Sequence, residues 1–126
     1  MKMMLAVALG GAIGAVLRYR ATALFVQMFG GGFPYGVLFV NVAGSFIMGV
    51  LVQLMALKIT LAPEARAMLM VGLLGALTTF SSFSLDVALL YQRGDLGAAA
   101  IYIIASVVLS VGGLFFGLWL VRVVVA

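Results

Sequence analysis

The sequence predicts an all-α integral membrane protein of four transmembrane helices, the third broken near its middle, paired as an antiparallel homodimer of dual topology. Three observations predict the four spans and the break. Of 126 residues, 67% are hydrophobic and 8% are charged, against about 45–50% and about 25% in a soluble domain. A soluble chain of this length buries only about 60–70% of its surface, too little to hide such a content, so the bilayer is the solvent that fits. The apolar residues also fall into four runs, each as long as the ~20 residues a helix needs to cross hydrocarbon. Finally, the third run carries a hydroxyl cluster that suits no continuous lipid-facing helix. Residues 1–126 read as a single domain.

The first run extends from about Met3 to Phe25, with Arg18 and Arg20 near its end. Lys2 ahead of an apolar stretch resembles the start of a signal peptide, but the Gly-rich continuation into Arg18 offers no convincing cleavage site, so the segment reads as a retained helix. Gly30, Gly31, Gly32 and Pro34 then interrupt the chain. The second run spans about Tyr35 to Leu57 and closes at Lys58. A short polar turn around Pro63 leads to the third, about Ala65 to Tyr91. Gln92 to Asp95 turn the chain into the fourth, about Leu96 to Val121, with Trp119 and Arg122 as interfacial anchors. Strands crossing a membrane would alternate polar and apolar residues over about 10 positions, and these runs do not. Gly10 and Gly14, Ser45 and Gly49, and Gly113 and Gly117 are small-residue pairs at the spacing that lets helices approach closely in lipid.

The net charge is +4. Basic residues at helix ends serve anchoring and topology, so nucleic acid is not expected as a partner. With four spans, Lys2, Lys58, Arg66 and Arg122 fall on one side of the membrane, and Arg18, Arg20 and Arg93 on the other. Orientation normally follows an excess of Lys and Arg on the cytoplasmic side. Four against three is almost no excess, so the chain is free to insert both ways, and four helices are too few to shelter a pore alone. Together the points favour a dimer, with oppositely oriented copies as one of its open arrangements.

With no Cys and no His, the chain lacks a thiolate nucleophile, an imidazole base and the usual zinc ligands. Its three carboxylates, Glu64, Asp86 and Asp95, are scattered. An enzyme is therefore not expected.

Polar residues at membrane depth are costly without partners, by several kcal/mol each on the order-of-magnitude scale, so they are the candidates for function. Asn41 lies near the middle of the second span, where its amide serves either an interhelix hydrogen bond or a solute. In the third span, Thr78-Thr79-Phe80-Ser81-Ser82-Phe83-Ser84 follows directly on Gly75-Ala76-Leu77. Hydroxyls can satisfy backbone groups freed at a helix break, and a break leaves carbonyls for a cation and N–H groups for an anion; a simple kink is the other reading. Phe80 and Phe83 are three apart, so on a continuous helix they share a face. Their positive ring edges would attract an anion, although such residues commonly face lipid or core. Tyr102, Ser106 and Ser110 form a polar stripe at i, i+4, i+8, either lining a permeation path or bonding back to their own helix. Arg18 either snorkels to headgroups or lends a vestibule positive potential. Asp86 either pairs with an arginine or lines a watery mouth.

These residues resemble the Fluc (CrcB) family of fluoride channels over essentially the whole chain. Gly10-Gly11-Ala12-Ile13-Gly14-Ala15-Val16-Leu17-Arg18-Tyr19 is similar to that family's first-helix signature, and Gly36 through Phe46, containing Asn41, Gly44 and Ser45, to its second-helix motif. Gly75 through Ser84 resembles its third-helix break and is the most specific of the three. The resemblance implies an inverted homodimer with two pores, each drawing on both copies. It implies that Phe80 and Phe83 line the fluoride path, that Asn41 bonds near them, and that Tyr102, Ser106 and Ser110 form a polar track. It places Arg18 in an anion-attracting vestibule and a structural sodium ion at the dimer centre, held by backbone oxygens of Gly75 and Thr78. Three positions depart from the pattern: Val37 where a threonine is frequent, Ala76 where a second glycine is usual, and Asp86 where glutamate is common.

The expected activity is passive, fluoride-selective export that lowers the cytoplasmic fluoride concentration, through a multi-pass protein of a bacterial inner (plasma) membrane. The rival is a small dual-topology proton-coupled exporter. That design needs a titratable carboxylate in an early span, and the first span has none. A packing scaffold without transport is opposed by the hydroxyl cluster.

Overall fold

The computed structural model describes residues 1–126 and is helical throughout, without strands. Helix is what the sequence and solvent dictate together, because hydrocarbon offers backbone N–H and C=O groups no partner outside the segment itself. Four helical spans are long and apolar enough to cross a membrane: Lys2–Phe29, Tyr35–Leu57, Pro63–Gln92 and Leu96–Val125. The first and last outrun the expected ends at Phe25 and Val121, since nothing in either sequence breaks the helix before Gly30 or before the chain's last residue.

Helices α1 (Lys2–Phe29) and α2 (Tyr35–Leu57) are joined by the glycine-rich loop, where Gly30 takes φ +80° and its N–H closes on the Val26 carbonyl. The third span is assembled from pieces. The single turn α3 (Pro63–Arg66) runs into a π-helical stretch, Ala67–Leu74, and then into the short turn α4 (Gly75–Leu77). Thr78, Thr79 and Phe80 are not helical, and Thr78 is extended at φ −85°, ψ 157°. Helix α5 (Ser81–Gln92) resumes, and Gly94, a second glycine of positive φ, lies in the turn after it. Helix α6 (Leu96–Val125) completes the bundle.

Close helix contact rests on glycine. The largest contact is between α2 and α6, where a β-carbon on Gly49 would collide with the Leu114 carbonyl, and one on Gly117 with the Phe46 carbonyl. Helix α1 lies against the π-helical stretch and α4, with Gly10 over the Met68 carbonyl and Gly14 over that of Leu73. Where two backbones approach this closely, dispersion replaces the hydrophobic drive that lipid does not supply. Ser45, expected to pack as Gly49 does, instead lines a groove described below.

Only 15 of 126 residues are buried within the single chain, so most apolar side chains need lipid or another protein surface as cover. A small core forms beside α5 and α6, where Phe83, Leu90, Ala99 and Tyr102 meet, with Phe33, Val37 and Leu38 packed against them. The Arg93 guanidinium donates to the Gly32 carbonyl and ties the loop after α5 to the loop after α1.

Candidate functional site

The non-helical residues at the centre of the third span organise the site. Ending α4 at Leu77 frees backbone groups, and side chains meet several of them. The Thr78 hydroxyl donates to the Leu74 carbonyl at 2.9 Å, and the Ser84 hydroxyl to the Phe80 carbonyl at 2.9 Å. The Thr79 hydroxyl accepts the Ser82 N–H at 3.1 Å at the start of α5. Much of the hydroxyl cluster thus serves the local backbone.

From α2, Asn41 meets both backbone groups of Thr79. Its Oδ1 accepts the Thr79 N–H at 2.7 Å and its Nδ2 donates to the Thr79 carbonyl at 3.0 Å. From α1, Arg18 Nε donates to the Ala76 carbonyl at 2.9 Å, and Nη1 reaches the Ser82 hydroxyl at 3.4 Å. Arg18 is half-buried, so it is not simply extended to the headgroups; Arg20, two residues on, is exposed. The carbonyls of Gly75 and Thr78 accept no hydrogen bond.

A groove of about 290 Å³ opens beside these residues, lined by Asn41 and Ser45 from α2, by Phe80 and Phe83 at the start of α5, and by Ser106 and Ser110 from α6. The Ser106 and Ser110 Oγ atoms are buried and have no hydrogen-bond partner. Bonding back to their own helix is therefore not how these hydroxyls are satisfied. An unpartnered buried hydroxyl costs about 1–3 kcal/mol, a cost removed if a solute in the groove takes the hydrogen bond.

Phe80 and Phe83 lie with ring centroids 5.3 Å apart and planes inclined at 51°. They do not share a helical face, because Phe80 precedes α5. Phe83 is 8% exposed and Phe80 76% exposed, so one ring is fixed in the core while the other stands open on the surface of this chain. Tyr102, fully buried, packs 5.1 Å from the Phe83 ring. Its hydroxyl donates to Asp86 Oδ2 at 2.9 Å, so the third-span acid partners a phenol rather than an arginine. Asp86 and Val37 line a second cavity of about 210 Å³ under the α1–α2 loop. Tyr102 therefore adjoins both the Phe83 side of the groove and the Asp86 side of this cavity.

The structure thus gathers Asn41, Phe80, Phe83, Ser106 and Ser110 at one groove, buries Tyr102 against Phe83 outside the groove lining, and bonds Arg18 to residues flanking the non-helical stretch. The sequence missed Ser45 as a groove residue and Thr79 as the centre of the hydrogen bonding. Ser45 was masked by its glycine-like spacing to Gly49, and the bonds between Thr79 and Asn41 run through the Thr79 backbone, which carries no sequence signal. No cluster of His, Cys, Asp or Glu is present to hold a metal. Carbonyl oxygens are the available cation donors, and unwound backbone at membrane depth is where such oxygens coordinate sodium. The free carbonyls of Gly75 and Thr78 fit that chemistry.

Four apolar spans around a polar groove at membrane depth define a multi-pass membrane protein of the channel and transporter class. Residues 5–118 match the family described as CrcB-like protein, Camphor Resistance (CrcB), and the chain belongs to that family. It is 59% identical over 126 residues to a Rhodospirillum centenum protein named Fluoride-specific ion channel FluC, covering 100% of both chains. A Chelativorans protein of the same name is 52% identical over 116 residues, covering 92% of this chain and 93% of its own. An Agrobacterium fabrum protein, again so named, is 49% identical over 116 residues, with 92% and 93% covered.

Proposed function

We propose that this chain is a fluoride-selective passive ion channel that exports fluoride across a bacterial inner membrane, working as an antiparallel homodimer with two pores. The observation that carries the reading is the pair of buried, unpartnered hydroxyls on Ser106 and Ser110, two residues that line the groove together with Asn41, Phe80 and Phe83. The names of the three relatives support the same solute.

Fluoride is small and strongly hydrated, so a selective path must replace lost water with close donors and still release the ion. Ser106 and Ser110 supply hydroxyl donors. The Phe rings supply positive edges, each a weak contact. Asn41 Nδ2 bears two hydrogens, and Thr79 engages one of them, which leaves the other for the ion. A succession of modest contacts favours passage over capture.

A second copy supplies what the single chain lacks. Phe80 stands open, and the groove beside it is not closed by the single chain. Opposed insertion agrees with the nearly even distribution of basic residues. In this arrangement the Gly75 and Thr78 carbonyls of both copies would hold a structural sodium ion, which would supply a fixed positive charge favouring anions nearby.

Purified chain in liposomes loaded with fluoride should discharge fluoride rapidly and chloride negligibly. Phe80→Ile and Phe83→Ile should each abolish the discharge while the protein still purifies in one folded, dimeric form. Impermeability of the wild type to fluoride ends the reading. Intact flux in both variants removes the ring edges from it. A proton-coupled exporter would instead show a steep dependence of flux on the pH gradient.

A further inference from the structure

We infer that Arg18 is a positioning residue that bridges the non-helical stretch of the third span and fixes its conformation, rather than a charge whose main task is to collect anions. The inference deepens the proposed channel reading, but its structural part stands apart from the identity of the solute.

The two partners of Arg18 lie on opposite sides of the stretch. Ala76 belongs to α4, before the non-helical residues, and Ser82 to α5, after them. The 2.9 Å bond from Nε to the Ala76 carbonyl is the stronger contact, and the 3.4 Å reach from Nη1 to Ser82 the weaker. A planar guanidinium offers donors at fixed angles to both, whereas an ammonium is a single point of charge.

The sequence of α1 aims the side chain. Gly14 stands one turn before Arg18 and brings α1 against the Leu73 carbonyl, with the Ala76 methyl beside it. That approach sets the Arg18 guanidinium at the end of α4. The Thr22 hydroxyl, one turn further on, donates to the Arg18 carbonyl at 2.8 Å. A cation at a helix C-terminus meets the partial negative charge of its last carbonyls, and there Arg18 takes the Ala76 carbonyl while those of Gly75 and Thr78 stay free. Arg18 therefore holds one freed carbonyl and, by fixing the backbone around it, sets where the others and Phe80 lie. Asn41 performs the matching task from α2 by holding Thr79.

The test separates geometry from charge with Arg18→Lys, which keeps the charge and loses the fork, and with Ser82→Ala, a mild change that keeps Arg18 itself. Arg20→Lys serves as the control. Hydrogen exchange is followed on full-length dimer in detergent, and fluoride flux in liposomes over a range of fluoride concentrations. Arg18→Lys should speed exchange of the amides of residues 78–82 by about tenfold, a local opening that leaves α2 and α6 unchanged. It should also lower maximal flux by about tenfold, without recovery at high fluoride. Ser82→Ala should move both readings the same way by a smaller factor, and Arg20→Lys neither. Wild-type exchange at residues 78–82 in both Arg18→Lys and Ser82→Ala overturns the inference. So does a flux loss in Arg18→Lys that high fluoride restores, which marks a charge-collecting role. If the wild type passes no fluoride, the channel reading falls, while the exchange comparison still decides the bridge.

Discussion

Asn41 holds Thr79 by both of its backbone groups, the N–H at 2.7 Å and the carbonyl at 3.0 Å, across 38 residues of sequence. The amide partners both backbone groups of a non-helical residue, and it does so in the middle of a membrane span. Asn41 thereby sets the backbone that carries Phe80 as well as facing the groove itself.

Asn41→Ala should leave both Thr79 groups without a partner. Two lost hydrogen bonds at depth should lower stability by about 1–3 kcal/mol, read as a lower denaturation midpoint in detergent. Fluoride flux should fall by tenfold or more, about 1.4 kcal/mol per tenfold in the barrier. An unchanged flux with a lowered midpoint would confine Asn41 to structure.

Ser106→Ala and Ser110→Ala should show the opposite balance. Neither hydroxyl has a protein partner, so removing one breaks no protein hydrogen bond, and stability should stay within about 0.5 kcal/mol of wild type. Flux should drop several-fold in each and more in the double variant. If unfolding is strongly affected while flux is preserved, the stripe on α6 has a packing role.

Tyr102→Phe should remove the donor to Asp86 without disturbing the ring contacts to Phe83 and Phe33. A hydrogen bond to a charged group is worth about 1.5–3 kcal/mol, so the denaturation midpoint should fall. If the residue also joins the groove to the Asp86 cavity, flux should change by several-fold in the same variant. Asp86→Asn keeps an acceptor for the phenol and should recover more of the stability than Asp86→Ala.

Gly49→Ala and Gly112→Ala are a matched pair on α2 and α6. A methyl at Gly49 meets the Leu114 carbonyl, whereas one at Gly112 meets nothing within 4 Å. Overpacking of this kind costs about 1–3 kcal/mol. Gly49→Ala should therefore unfold more readily, and Gly112→Ala should behave as wild type. Equal behaviour of the two would mean that α2 and α6 separate without penalty.

Number, order and approximate ends of the spans were legible in the sequence, because hydropathy accumulates along the chain and needs no partner to be read. The second span was placed at Tyr35 to Leu57, where α2 is found. Gly49 and Gly117 announced close packing by spacing alone, and the structure supplies the carbonyls they lie against. The polar residues at depth were legible as candidates for the same reason: in an apolar run, Asn41, Ser106 and Ser110 stand out by cost.

What these residues touch was decided only by tertiary structure. The spans are apolar nearly all round, so periodicity could not say which face of each meets a neighbour and which meets lipid. The sequence could name Arg18, but not that it reaches Ala76, 58 residues away, in preference to headgroups. It could count the hydroxyls of the third span, but not sort those that close local backbone bonds from those of α6 that bond to nothing. Such assignments depend on which groups are left over once every helix has packed, and that remainder belongs to the whole fold.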